Sequence, residues 1–499
     1  MLPVLTGFSR SRVRPAWFCL LGLLYVTLSG SPLLAQAGGP PVNHEHWSYE
    51  LLDALDIAGA SSAWMVYIRP TGREVVRGEL QRTRTVEGAP NVSWSSWVDL
   101  FDAESPVRFD ASGSRAEVGA TAGTRSGTAF LEPGGGPYLA LDGSLALSSS
   151  VGLWGKIDSG SGERFDGLIE GGISLPFPGP LQVIVGRQWL RAGGPGELDS
   201  VLGGSVPLDA VHLVSTRATP FPGLGWLFGP VAWQFALAPW GGVGDLDQGW
   251  IGLGSAVAQP HPRFRIGFSR VARFGGAQTE SITAERLLKM FFVLQNDPTS
   301  WDDQLFEVSF RFRWEAFGLP LASYAVLSQD DSPLWKQPGL QLGTAASLVR
   351  ESGVFLIRYE YNAIGPRARW CPGCPRNRGN RNDWYQHGTH GLYERNQIPA
   401  GSSVGGFGAE HSLSFSAFPA AGKVRYKAWS FFQIRNDEGN LLLERWPGKR
   451  AGLGGEVSWI PVPGLEVTAS GLFADGPEIE AESSIWLRAR FIFPSLARN

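Results

Sequence analysis

A chain of 499 residues, 43% of them hydrophobic, is long enough for one large domain or several ordinary ones. With 43 basic and 46 acidic side chains, a formal net charge of −3 and no sustained basic run, it gives no footing for a nucleic-acid partner. Its 65 glycines, 20 tryptophans and 28 phenylalanines favour strands and turns over helices.

The chain opens with Arg10, Arg12 and Arg14, then the apolar run "FCLLGLLYVTL", then "SPLLAQA" with an A-x-A site ending at Ala37. The apolar run falls short of the roughly 20 residues a spanning helix needs. Residues 1–37 therefore read as a cleaved signal peptide. No cysteine follows the site, which argues against a lipid anchor. In an exported chain the pair Cys371 and Cys374, in "CPGC", is expected to form a local disulfide. A redox CxxC would need a βαβ surround, and a zinc knuckle a second pair of ligands.

In "HWSYELLDALDIAGA", Trp47, Leu51, Ala54, Leu55 and Ala58 fall on one side at helical spacing, with Glu50, Asp53 and Asp56 opposite. Gly59 is placed to stop the helix. Residues 38–106 read as a small N-terminal domain containing this one convincing helix.

From about residue 107 the period changes to two. "VSFRFRW" sets Val308, Phe310, Phe312 and Trp314 against Ser309, Arg311 and Arg313. "FLIRYEYN" sets Phe355, Ile357, Tyr359 and Tyr361 against Leu356, Arg358, Glu360 and Asn362, and "SIWLRARFIF" repeats the pattern around Arg488 and Arg490. Arginines opposite a bulky apolar face, strand after strand, do not suit a sandwich buried between two sheets. They suit an all-β, transmembrane antiparallel barrel over 107–499, with lipid outside and a polar lumen inside. The lumen arginines either pair with acids that plug the barrel or line an anion-friendly path; pairing fits better, since unpaired charges in a narrow lumen repel.

Connection lengths test this independently. Short turns fall at 176–180, 258–262, 317–320, 351–353, 418–422 and 461–464. Longer polar connections fall between and after them, at 240–249, 275–303, 328–338, 363–407, 436–450 and 475–483. Short turns at one end and long loops at the other mark an outer-membrane barrel, here of about 18 strands. If the last strand ends in the periplasm, the short turns and the helical region are periplasmic and the long loops extracellular. The tryptophans and tyrosines then read as interfacial girdle residues.

The candidate site is the longest loop. Trp370, Arg376, Arg378, Arg381, Trp384, Tyr385 and His387 combine aromatic faces, which stack on sugars, with guanidiniums, which bind carboxylates bidentately. A self-packed loop closing the barrel mouth competes with this reading. His387, His390 and His411 make a poor metal set, because so glycine-dense a stretch holds no helix and their spacing carries no geometry. A hydrolase using His387 with Ser402 or Ser403 lacks any fixed nucleophile–base–orienter arrangement. The stretch 193–196 lacks the lysine and helix of a phosphate loop and reads as a turn or inward-folded loop.

Several pieces resemble the capsule assembly Wzi-like outer-membrane proteins: "HWSYELLDALDIAGA", "VGRQWLRAGGPGELDSVLGGS" (185–205), "STRATPFPGLGW" (215–226), "RIGFSRVARFGG" (265–276), "FEVSFRFRW" (306–314) and "DWYQHGTHGLYERNQIPAGSSVGGFGAEHS" (383–412). The chain departs from that family's pattern at "AGGPG" around Gly194 and Pro195. The resemblance implies an 18-stranded barrel with a periplasmic helical bundle that holds capsular or extracellular polysaccharide at the surface, as a lectin without catalysis, cofactor or metal. The partners it implies are outer-membrane lipid, the polysaccharide, and other capsule export or assembly proteins. The alternative is a porin-like channel for small polar or anionic solutes.

Overall fold

The computed structural model describes residues 46–62, 64–70, 73–83, 95–104, 115–126, 136–146, 151–158, 168–192, 194–198, 202–220, 223–240, 249–275, 283, 302–330, 338–364, 386–387, 391–392, 394–395, 398–399, 408–435, 448–462, 465–476 and 479–492. The signal-peptide reading of 1–37 lies outside these residues.

Eighteen strands form the wall: β1 (Arg115–Ser126), β2 (Gly136–Ala146), β3 (Gly152–Asp158), β4 (Leu168–Phe177), β5 (Leu181–Ala192), β6 (Leu202–Ser215), β7 (Pro230–Trp240), β8 (Gly249–His261) and β9 (Phe264–Phe274) in the first half. The second half comprises β10 (Asp302–Ala316), β11 (Leu319–Asp330), β12 (Pro338–Arg350), β13 (Gly353–Ile364), β14 (Gly408–Pro419), β15 (Val424–Arg435), β16 (Gly448–Val462), β17 (Leu465–Gly476) and β18 (Ile479–Ile492). Each strand pairs antiparallel with its predecessor and successor. β1 also pairs with β18, from Gly119 opposite Ile492 to Ser126 opposite Ile485, so the sheet closes on itself. Closure leaves no free edge and satisfies the backbone amides internally, which a lipid-embedded sheet requires.

The period-two pattern sorts side chains as the sequence implies. Phe310, Phe312 and Trp314 are exposed on the outer face of β10, while Ser309 and Arg311 are buried inside. Ile357 and Tyr359 on β13 face out between buried Leu356, Arg358 and Glu360. Trp314, Tyr426 and Trp459 form part of an exposed outer belt near the short turns. The girdle reading fails for others: Trp47, Trp64 and Trp97 are buried among the helices, and Trp240 faces the lumen.

The short turns at 178–180, 262–263, 317–318, 351–352 and 420–423 lie at one end, as does the pairing of Val462 with Leu465 where β16 meets β17. One expected long connection is corrected: 475–483 is mostly strand, with Gly476 of β17 already paired with Ile479 of β18. Glu480, Glu482, Ser483 and Ser484 make this stretch polar enough to read as a loop from sequence alone.

Three helices precede the wall, α1 (Trp47–Ile57), α2 (Arg73–Thr83) and α3 (Ser95–Glu104), where the sequence pointed to one. α1 begins at His46, whose Nδ1 accepts from the Ser48 amide at 3.2 Å, and ends before Gly59 at φ 81°. In α2 the buried Val75, Val76 and Leu80 are sparse among charged neighbours, too weak a stripe to read from periodicity. α3 is seated on the β14–β15 turn: Trp97 Nε1 donates to Pro419 O at 2.9 Å and Ser96 Oγ to Ala420 O at 2.6 Å. Tyr49, Leu51, Leu52, Leu55, Trp97 and Phe101 share one core with the wall residues Val354, Leu356 and Phe418. The helices thus pack into the short-turn end of the barrel.

Candidate functional site

The side of α1 opposite its apolar stripe is not a solvent face. Asp53 and Asp56 are fully buried against the barrel's inner wall. Asp56 takes two hydrogen bonds from Arg265 on β9, both at 2.6 Å, and lies 3.4 Å from Arg311 and 3.2 Å from Arg313 on β10. Asp53 holds Arg311 at 2.5 Å and Arg358 of β13 at 2.6 Å. Glu50, one turn earlier, takes Ser416 of β14 at 2.7 Å and Lys427 of β15 at 2.5 Å. Acids at i, i+3 and i+6 project to one side of a helix, so a single helix face engages β9, β10 and β13–β15. Burial alone would raise the Asp56 carboxyl, but Arg265, Arg311 and Arg313 more than offset this and hold it below the ordinary carboxylate range.

A second element enters from the other end. The connection after β5 folds inward, as the sequence suggested for 193–196, and reaches the far wall. The amides of Glu197 and Leu198 donate to Glu360 at 2.9 and 3.2 Å, and Gln341 Nε2 donates to Leu198 O at 2.8 Å. Arg191 donates to Gly196 O, and Tyr324 donates its hydroxyl to Glu360. A Cβ at Gly196 would lie 2.0 Å from Glu360 Oε1, so only glycine lets the backbone come this close. The Glu197 carboxylate lies 2.5 Å from Arg358 and 3.6 Å from Lys427. Burial works to raise its pKa, but Lys427, Arg358, Arg191 and Arg69 draw it down to about 2. Arg358 and Lys427 therefore each hold one carboxylate of α1 and the same carboxylate of the inward loop.

Of the site residues expected from sequence, Trp370, Arg376, Arg378, Arg381, Trp384 and Tyr385 lie outside the described residues, as do Cys371 and Cys374. His387 is described in backbone only, in a two-residue antiparallel pair, Gln386–His387 with Gly391–Leu392. A second small pair, Glu394–Arg395 with Ile398–Pro399, places Ile398–Pro399 beside β6, across the ring from the strands the loop joins. His411 is on the outer face of β14, where Tyr359 Oη lies 2.8 Å from its Nδ1, away from any loop cluster. Among the described residues no group of His, Cys, Asp and Glu could hold a metal ion.

The expected pairing of lumen arginines holds for Arg311, Arg313 and Arg358; Arg488 and Arg490 are half-buried. The sequence reading did not name Arg265, Lys427 or Glu197, and it named Glu360 only as an inner-face residue of its strand. Their signal was the arginine-rich inner face of "RIGFSRVARF", together with three acids on one side of α1 that had no stated partner.

These features define a closed transmembrane β-barrel whose charged lumen is stoppered by its own N-terminal helix and crossed by an inward loop. Within that class the resemblance read from the sequence is borne out: residues 200–418, from before β6 to the end of β14, match the family model for the capsule assembly protein Wzi. No curated protein matches the chain by sequence. Among solved structures, Wzi of Escherichia coli, described as an outer membrane protein involved in group 1 capsule assembly and a carbohydrate-binding β-barrel, aligns with a TM-score of 0.70 at 15% identity. The alignment covers 91% of this chain and 99% of that one, and at this identity it is a likeness of fold. OccK11 (OpdR) and OpdL of Pseudomonas aeruginosa give TM-scores of 0.43 and 0.44 at 11% identity, each alignment covering 76% of this chain and 96% and 98% of theirs, respectively.

Proposed function

We propose that the protein sits in the outer membrane and binds capsular or extracellular polysaccharide, helping to hold it at the cell surface without catalysis. The observation that carries this reading is the doubly blocked lumen: α1 and the inward loop fasten to the same Arg358 guanidinium, at 2.6 and 2.5 Å. A conduit for small solutes would have to break those contacts in every cycle, whereas a holder needs only a rigid platform under its loops. The family match over residues 200–418 points the same way. In this orientation the short-turn end of the barrel, into which the helices pack, faces the periplasm and the long loops lie outside. Trp370, Arg376, Arg378, Arg381, Trp384, Tyr385 and His387 are the proposed contact residues, with Cys371–Cys374 bracing their loop. Contacts repeated along a polymer add as avidity, so single subsites can be weak. Other capsule export or assembly proteins are the proposed periplasmic or lateral partners.

The test is binding of full-length protein in detergent micelles to the source organism's own surface polysaccharide. Retention of polymer by the wild type, weakened by joint alanine replacement of Trp384, Arg376, Arg378 and Arg381, is the expected result. Failure of the wild type to bind, or steady conductance through it in a planar bilayer, would overturn the reading.

A further inference from the structure

We propose that Trp429 forms the floor of a sugar subsite inside the lumen, which stacks on the apolar face of a neutral pyranose ring while Lys427 and Glu456 meet its hydroxyls. This deepens the reading above and rests on it.

On β15 the outer residues Tyr426 and Phe432 are exposed to lipid, so Arg425, Lys427, Trp429, Phe431 and Gln433 point inward. Trp429 stands opposite Gly454 of β16. A Cβ on Gly454 would lie 2.3 Å from both Cε2 and Cζ2 of the indole. The ring therefore lies flat in the space of the missing side chain, one face on the β16 backbone and the other toward the lumen.

Two other rings use the same seat, and both are covered. Tyr324 lies over Gly343, is almost fully buried and gives its hydroxyl to Glu360. Phe431 lies over Gly452, with the Arg450 guanidinium 5.2 Å from its ring centroid. Trp429 is half-buried, and among the described residues no ring or cation stacks on it.

The surroundings of Trp429 are also open. The Lys427 side chain is 32% exposed and that of Glu197 28%, against 3% for Arg358. Glu456 is the register partner of Lys427 and is half-buried. Lys427 already answers Glu50 and Glu197, and Glu456 adds another carboxylate, so this corner repels anions. An uncharged sugar ring fits: its C–H face on the indole, its hydroxyls donating to Glu456 and accepting from Lys427.

A ring on a glycine also braces a barrel wall without binding anything, and the experiment must separate the two roles. The probe is a set of neutral tetra- to hexasaccharides released by partial hydrolysis from the source organism's own surface polysaccharide. These are titrated into full-length protein carrying 5-fluorotryptophan, with the Trp429 resonance assigned from Trp429→Phe. The expected result is a saturable shift of that resonance and, by calorimetry, an affinity lower by about tenfold in Trp429→Ala and less in Trp429→Phe.

If wild type binds the oligosaccharides while the resonance stays still and Trp429→Ala binds equally, the subsite is overturned and surface binding stands. Loss of oligosaccharide binding in Trp384→Ala but not in Trp429→Ala has the same meaning. If wild type binds neither polymer nor oligosaccharide, the parent reading falls and takes the subsite with it. Should Trp429→Ala fail to fold, the wild-type resonance shift alone decides.

Discussion

Asp53 and Glu197 are far apart in sequence yet grip opposite nitrogens of one guanidinium: Arg358 Nη2 meets Asp53 at 2.6 Å and Nη1 meets Glu197 at 2.5 Å. A helix from one end of the barrel and a loop from the other are joined through this buried cation, and again through Lys427 between Glu50 and Glu197. Their contributions to stability should therefore not add. In a cycle of Asp53→Asn, Glu197→Gln and the double variant, thermal unfolding in detergent should give a coupling energy of about 0.5–3 kcal/mol. Simple additivity would mean that the two elements are held independently.

Asp56 accepts from Arg265 and lies near Arg311 and Arg313 with no access to water. Asp56→Ala leaves these cations facing a partner that is gone, and removing one member of a buried pair costs about 3–5 kcal/mol. The variant should unfold at lower temperature on a heat-modifiability gel. Glu351→Ala, at an exposed position in the turn between β12 and β13, is the control expected to be near neutral.

The acid sensitivity of the stopper has a definite sign. Asp56 and Glu197 both titrate below their ordinary range when folded, Glu197 at about 2. A carboxyl depressed by folding contributes its stability above its unfolded pKa of roughly 4 and loses it as pH falls through the folded value. Protection factors of the α1 amides, exchange rates taken relative to the intrinsic rate at each pH, should thus be unchanged from pH 7 to about 5 and fall between about 4 and 2. A fall only on the alkaline side would contradict the pairing.

Tyr324 occupies the space over Gly343, where a Cβ would lie 2.0 Å from the ring's Cζ. Gly343→Ala must displace the ring and with it the hydroxyl donated to Glu360, for which overpacking costs of about 1–3 kcal/mol are usual. Tyr324→Phe in the same background, which has no hydroxyl to misplace, should recover part of the loss in melting temperature.

Neutralising the helix tests the stopper as an electrical object. With Glu50, Asp53 and Asp56 all replaced by their amides, Arg265, Arg311, Arg313, Arg358 and Lys427 lose all of their opposing charge on α1. Planar-bilayer recording should then show openings absent from the wild type, with anions permeating better than cations. Cation preference would refute the assignment of these residues to the lumen.

Much of the wall was legible in the sequence because a barrel strand in lipid obeys a strict period of two. "VSFRFRW" shows this directly, with Phe310, Phe312 and Trp314 out and Arg311 in. The alternation of connections was legible for a related reason, since glycine and proline mark tight turns. It failed at 475–483, where a run of acidic and small residues reads as a loop but is mostly strand. The site was less legible. Helix α1 could be drawn from its apolar stripe, but nothing local says that Asp53 and Asp56 face arginines more than 200 positions away in "RIGFSRVARF" and "VSFRFRW". Pairings at that separation are set by closure of the ring. Helix α2 escaped notice because Val75, Val76 and Leu80 are sparse among charged and polar residues, and α3 because its apolar Trp97, Val98, Leu100 and Phe101 span little more than one turn, too short a run to show a period.

The stopper carries the counter-ions of its own socket. Arg265, Arg311 and Arg358 are written into the wall, and the carboxylates that make their burial tolerable are written before the first strand at Arg115. Neither half is electrically complete, so the two must be inherited as a unit. A lineage that shed its leading helix would have to recode at least these three wall positions, and one that recoded the wall would eject its helix.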